Sequence, residues 1–210
     1  MNGLKRLKKT KKYIYLISPN RIQEKDFYFK LNLILKLKKI SYFQLRIKNY
    51  SNKKIVSIGK KIKKICKKHK VKLIINDNPF LVKEIGADGC HIGQSDTPLP
   101  KVRKILKKKI IGVTCHNSKK LIKEALDNKA DYIAIGAFYS SKTKKTKFKA
   151  DLNLLKWAKK ITKTPIVAIG GINSQNYKKL LLNKANFLAI SGYIWNNKKI
   201  SSVEAVRKLV

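Results

Sequence analysis

Asp77 and Asp96 each close a short apolar run in a chain where acids are scarce. The runs are Leu73-Ile74-Ile75-Asn76-Asp77 and Cys90-His91-Ile92-Gly93-Gln94-Ser95-Asp96, with a short helical stretch between them. The chain carries 51 Lys+Arg against 11 Asp+Glu. A carboxylate just past a buried strand has little structural reason to be there. Two of them, from neighbouring parallel strands, suit one hard cation such as Mg²⁺ bound through oxygen. The surrounding lysines would then serve what that cation holds, a phosphorylated substrate. Each aspartate singly has a structural use as well. Asp77 could cap a helix at Asn78-Pro79, and Asp96 one starting near Pro98.

Other polar groups fall at similar points. Alternation along Gln44-Leu45-Arg46-Ile47-Lys48 puts Gln44, Arg46 and Lys48 on one face. Such a stripe is costly to bury without an anion. Asn76 precedes Asp77, and Gln94 precedes Asp96. Thr114-Cys115-His116-Asn117 offers His116 as a general base or as a loop histidine beside a cap at Asn117 or Ser118. His91, within its strand, reads as a satisfied core residue. Ser140-Ser141-Lys142-Thr143-Lys144-Lys145-Thr146-Lys147 interleaves hydroxyls with ammonium groups and suits a pyrophosphate. Gly170-Gly171 and Ser191-Gly192 let backbone N–H groups approach a phosphate.

The elements that must position these residues alternate. Apolar strands are expected at Tyr13–Ser18, Tyr42–Ile47, Lys72–Asn76, Cys90–Gly93, Ile110–Thr114, Tyr132–Gly136, Ile166–Ile169 and Phe187–Ser191. Lysine-faced helices lie between them, most clearly at Lys53–His69, where Ile55, Ile58, Ile62 and Ile65 recur at helical spacing. The last helix is expected at Val203–Leu209. An internal echo joins Ile85–Gly93, Asn128–Gly136 and Asn183–Ser191. Each copy is a helix end, an Ala-Asp or Ala-Asn turn, and a strand. The repeated αβ unit argues for a closed (β/α)₈ TIM barrel, class α/β, with the site at the C-terminal strand ends. An open doubly wound sheet is the alternative, but no Gly-x-Gly-x-x-Gly supports it. Residues 1–210 are expected to form one domain, with residues 1–12 a basic N-terminal extension.

The formal charge of +40 suggests nucleic acid or an anionic membrane surface. The cations, however, are nearly all Lys; Arg stands only at positions 6, 21, 46, 103 and 207. Lys, Ile and Asn together resemble an AT-rich coding bias written onto solvent-facing positions. Neither specific nucleic acid nor a membrane is therefore expected as a partner. The three cysteines lack metal or disulfide spacing, which suits a reducing cytoplasm. Residues 13–17 are too short an apolar run for a signal peptide, and Pro19-Asn20-Arg21 follows. No run reaches the ~18 apolar residues of a membrane helix.

Six ordered motifs resemble the thiamine phosphate synthase family, together with its thiazole tautomerase relatives. They are Gln44–Lys48, Ile75-Asn76-Asp77, Gly86–Asp96, Gly112–His116, Thr143-Lys144 and Ala168–Ile172, and the similarity runs from about Tyr13 to Trp195. Gly136-Ala137-Phe138 and Ser191–Asn196 look like the alphaproteobacterial branch. The resemblance implies a transferase that joins hydroxymethylpyrimidine diphosphate to a thiazole phosphate, with loss of pyrophosphate. It implies Mg²⁺ on Asp77 and Asp96, and diphosphate binding by Gln44, Arg46, Lys48 and Asn76. Thr114 would lie near the reacting pyrimidine. Ser141, Thr143 and Lys144 would meet the thiazole substrate and pyrophosphate. Gly171, Ile190 and Ser191 would bind the thiazole phosphate. Arg46, Lys48, Thr114 and Lys144 would be the catalytic group. The family loop Pro-Thr-x-Thr-Lys departs here, where Ser140 and Ser141 replace Pro and Thr. The complete acidic pair favours a synthase over a tautomerase that uses His116, and over a polyanion-binding barrel. A homo-oligomer is compatible with all three.

Overall fold

Strands and helices alternate through the computed structural model, which describes residues 12–140 and 148–209. The strands are β1 (Ile14–Ile17), β2 (Ile40–Leu45), β3 (Lys72–Asn76), β4 (Gly89–Ile92), β5 (Ile110–His116), β6 (Tyr132–Gly136), β7 (Ile166–Ile169) and β8 (Phe187–Ile190). The helices are α1 (Glu24–Lys36), α2 (Asn52–Lys68), α3 (Pro79–Ile85), α4 (Leu99–Leu106), α5 (Lys119–Asp127), α6 (Leu152–Ile161), α7 (Tyr177–Leu182), α8 (Gly192–Trp195) and α9 (Ser202–Arg207). Every strand pairs in parallel with its sequence neighbour, and β1 pairs with β8, so the sheet closes. The expected barrel is thus present, in a single domain, and the open sheet is excluded.

The apolar pattern explains the layering. Along α2, Ile58, Ile62 and Cys66 face the sheet and are buried, while the lysines between them face outward. Ser51 caps that helix by accepting from the Lys54 N–H. Strand residues of one parity join this outer core. Those of the other parity point into the barrel, where Tyr15, Ile74, Tyr132, Ala134, Val167 and Ala189 pack together. The rings of Tyr42 and Phe187 stand 5.1 Å apart at 89° and help fill the same space. The interior is a packed column rather than a pore.

The internal echo is a structural device. Asp88, Asp131 and Asn186 occupy equivalent turns before β4, β6 and β8. Each accepts a hydrogen bond on its side chain from an N–H at the start of the adjacent odd strand, at Leu73, Ile111 and Ile166. Asp88 and Asn186 also return their own N–H to the carbonyl of that same residue, and Asp131 to Ile111. The preceding alanines, Ala87, Ala130 and Ala185, donate back to the helix that has just ended. Short polar side chains favour such turns because they satisfy the backbone locally.

Two expectations need correction. The polar stripe Gln44, Arg46, Lys48 does not continue in strand form, because β2 ends at Leu45. The Ser18 side chain supplies the reason: its Oγ accepts from the Arg46 N–H at 2.9 Å and donates to the Arg46 carbonyl at 3.1 Å. A side chain takes over where the β1 ladder stops. Conversely, β5 runs on to His116 through a register shift after Thr114. Ser141, Thr143 and Lys144 lie outside the described residues.

Candidate active site

The strand ends gather the polar side chains at one mouth. Gln44 is buried, and its Nε2 donates to Asn76 Oδ1 at 2.7 Å, linking the ends of β2 and β3. Arg46 follows β2, and its Nη1 reaches Asn20 Oδ1 at 3.3 Å. Across β3 and β4, Asp77 and Asp96 come into side-chain hydrogen-bond contact. Burial, then that contact and the charge of Asp96, raise the Asp77 carboxyl to about 6. The charges of Arg46 and Lys48 oppose the rise, which puts both cations within reach of the pair.

Neither aspartate caps a helix. Asn78 caps α3 by accepting from the Phe80 N–H, and Asp77 stands before it with φ 65°. Pro98 precedes α4, and that helix start has no side-chain cap. Asp96 instead accepts from the Gly93 N–H at 2.7 Å, which folds the loop back and turns the carboxylate to Asp77. Ser118 caps α5, so the cap beside His116 is the serine. The His116 ring packs on Phe148, with centroids 4.3 Å apart.

Thr114 ends the inward-facing row of β5. His91 Nε2 lies 2.8 Å from its Oγ1, and Gln94 Nε2 donates to its carbonyl at 2.5 Å. His91 is fully engaged, since its Nδ1 lies 2.9 Å from the Tyr132 hydroxyl. Desolvation lowers its pKa to about 4. Opposite, Gly170 and Gly171 follow β7 with φ of 107° and 59°. A Cβ on Gly171 would come within 2.2 Å of the Ser140 carbonyl, so both the conformation and the close approach require glycine. Ile190 ends β8, and Ser191 precedes α8 with its Oγ donating to the Ser18 carbonyl at 3.1 Å. Ser18 therefore ties the ends of β1, β2 and β8 together.

A family model described as thiamine monophosphate synthase matches residues 14–194. The chain belongs to the thiamine monophosphate synthase family. A thiamine-phosphate synthase of Pelagibacter ubique (strain HTCC1062) is 64% identical over 206 residues, covering 98% of this chain and 100% of its own. That of Rhodospirillum centenum (strain ATCC 51521 / SW) is 36% identical and covers 88% of this chain and 89% of its own. Among solved structures, a thiamine phosphate pyrophosphorylase from Pyrococcus furiosus superposes with a TM-score of 0.84. It covers 95% of this chain and 94% of its own at 24% identity, a likeness that speaks for the fold.

In this member of the family the acid pair is a chemical fit for Mg²⁺. Two carboxylates forced together, one of them pushed toward its neutral form, are relieved by a shared hard cation. Among the described residues no cluster of three or more His, Cys, Asp and Glu exists. Mg²⁺ does not need one, because it keeps waters and substrate phosphates as ligands. A surface hollow of about 580 Å³ lies elsewhere, on the outer helices beside Lys119, Lys123 and Trp157. It is shallow and lysine-rimmed and has no part in the rim chemistry.

Sequence reasoning missed three contributors. Ser18 is small and follows a strand, Asn20 sits in a loop, and Tyr132 is an aromatic in an apolar strand. Only the inward parity of Tyr132, shared with His91 and Thr114, could have flagged one of them.

Proposed function

We propose that the chain condenses hydroxymethylpyrimidine diphosphate with a thiazole phosphate, giving thiamine phosphate and pyrophosphate. The carbon–oxygen bond to the diphosphate breaks, and the leaving oxygen keeps the electron pair. The thiazole nitrogen then forms the carbon–nitrogen bond. The observation that carries this reading is the contact of Asp77 and Asp96 inside an otherwise cationic rim.

In this reading Asp77 and Asp96 hold Mg²⁺, which neutralises charge on the diphosphate when bound. Arg46 and Lys48 face the same diphosphate, and Gln44 and Asn76 orient it through their mutual hydrogen bond. Charge grows on the leaving oxygens as the bond breaks, so preorganised cations act mainly in the transition state. Thr114 meets the pyrimidine from β5. Gly171, Ile190 and Ser191 receive the thiazole phosphate on the far side, as glycine-rich barrel ends do. Ser141, Thr143 and Lys144, outside the described residues, would meet the thiazole substrate and pyrophosphate. The three buried thiols, Cys66, Cys90 and Cys115, support a reducing cytoplasm as its compartment. Among the described residues no helix is long and apolar enough to cross a membrane.

The test is incubation of the protein with both substrates and Mg²⁺. Pyrophosphate release together with a thiamine phosphate mass is expected. Binding of both substrates with no such product would sink the assignment.

A further inference from the structure

Four side chains form an unbroken line from the barrel interior to its mouth. The Tyr15 and Tyr132 hydroxyls are 2.7 Å apart. Tyr132 lies 2.9 Å from His91 Nδ1, and His91 Nε2 lies 2.8 Å from Thr114 Oγ1. Tyr15 and Tyr132 are only 2% exposed and His91 9%. The line has room because β5 carries Gly112: a Cβ there would stand 1.8 Å from the Tyr132 ring.

Each link could run in either direction, but the inner end decides. Among the described residues, the Tyr15 hydroxyl has one hydrogen-bond partner, Tyr132. If Tyr132 donated to Tyr15, the Tyr15 proton would be buried with no acceptor, at the full desolvation cost of a hydroxyl. Tyr15 must therefore donate to Tyr132. The Tyr132 proton then has one acceptor left, His91 Nδ1. That nitrogen is bare, so the proton of the neutral ring sits on Nε2 and is donated to Thr114. An imidazolium fails the same way, because its Nδ1–H would reverse the tyrosines. The Thr114 oxygen, already accepting, turns its own proton outward.

We infer that Tyr132 is a positioning residue that locks His91 as the Nε2–H tautomer and makes the Thr114 hydroxyl an obligate donor at the mouth, with Tyr15 closing the inner end of the line. The substrate atom recognised there is then a hydrogen-bond acceptor, such as a pyrimidine ring nitrogen. The placement of a substrate at Thr114 rests on the proposed synthase reading; the direction of the line does not.

The test is nitrogen NMR of the full chain labelled with ¹⁵N-histidine, with His91 assigned by the signals lost in His91→Gln. The expected spectrum shows Nε2 protonated and Nδ1 bare at neutral pH. A protonated Nδ1 overturns the inference. Tyr132→Phe removes the donor to Nδ1 and should shift that signal toward mixed tautomers. Tyr15→Phe leaves Tyr132 still donating and should leave the tautomer unchanged. A tautomer that changes in Tyr15→Phe and not in Tyr132→Phe also overturns it. For the substrate arm, Thr114→Val should lower kcat/KM for the pyrimidine diphosphate about tenfold, the scale of one lost hydrogen bond. Thr114→Ser should restore it, with KM for the thiazole phosphate unmoved by either. Equal activity of the valine and serine variants would remove the donor role. If the wild type makes no thiamine phosphate yet shows Nε2–H, the synthase reading fails and the direction of the line stands.

Discussion

At the scale of residues, the proposed metal site is made of two aspartates that no helix needs as a cap. Asn78 supplies the cap that Asp77 might have made, and the one backbone bond Asp96 accepts, from the Gly93 N–H, is one an Asn oxygen can also accept. Asp77→Asn or Asp96→Asn should therefore nearly abolish turnover while the fold persists. A second readout is thermal: Mg²⁺ should raise the melting temperature of the wild type by linkage and that of neither variant. Mg²⁺ activation that survives in both would rule the site out. Arg46 gives a sharper contrast. Its planar fork can grip a diphosphate with two parallel hydrogen bonds, and Lys cannot. Arg46→Lys should slow pyrophosphate release by ~10²-fold, the scale of one preorganised donor, with little change in KM for the thiazole phosphate. His116→Ala should do less, because that ring packs on Phe148. Steady-state kinetics on the pair decides; a silent Arg46→Lys beside a dead His116→Ala would favour proton-transfer chemistry instead. These residues were legible because a polar group ending an apolar run stands out. Tyr15 and Tyr132 were not, because a phenol inside a buried strand has the same periodicity as any core aromatic.

Elements show where pattern reading succeeds and where it stops. All eight strands were visible as short Ile- and Val-rich runs, because both faces of a barrel strand are covered. Strand ends were less visible. Alternation carried β2 past Leu45, but nothing in the pattern says that Ser18 will claim both backbone groups of Arg46. The echoed Ala-Asp turns were seen as repeats, yet their purpose needed the neighbouring strand. Helix contacts also offer a titratable tie. Glu24 at the start of α1 pairs with Lys54 at 2.5 Å and Lys61 at 2.9 Å on α2. Hydrogen bonds from these lysines lower its pKa to about 2, from an ordinary value near 4.5. The folded state thus holds the carboxylate charged where the unfolded chain would take a proton. The contribution is complete above about pH 4.5 and disappears as the pH falls toward 2. The melting temperature of Glu24→Gln should lie slightly below the wild type at pH 6, and the gap should close in acid and in high salt. The gap should be small, since the pair is largely exposed. A gap that widens as the pH drops would contradict this sign.

For the molecule as a whole, the charge of +40 comes mostly from lysines, many of them exposed on the described helices, while Arg46 and Lys48 stand at the acidic pair. Lysine dominance gives attraction without base readout. Duplex DNA should bind weakly, without sequence preference, and with affinity that falls steeply with salt. Filter binding across a salt series checks this, and selective binding at physiological ionic strength would refute it. Enzyme activity should tolerate moderate salt better than DNA binding does.

The aromatic column inside the barrel has a further consequence, for traffic. Tyr15, Tyr42, Tyr132 and Phe187 stopper the end where the strands begin. Two reactants and two products must then share one doorway. In the proposed reading the pyrimidine diphosphate, seated against Thr114 and Asn76, should go in first, and its partner should become the plug. A late arrival cannot pass a seated one, so excess thiazole phosphate should block the entrance rather than speed the reaction. The floor of the vessel, made of aromatic rings packed on one another, would then set the queue at its door.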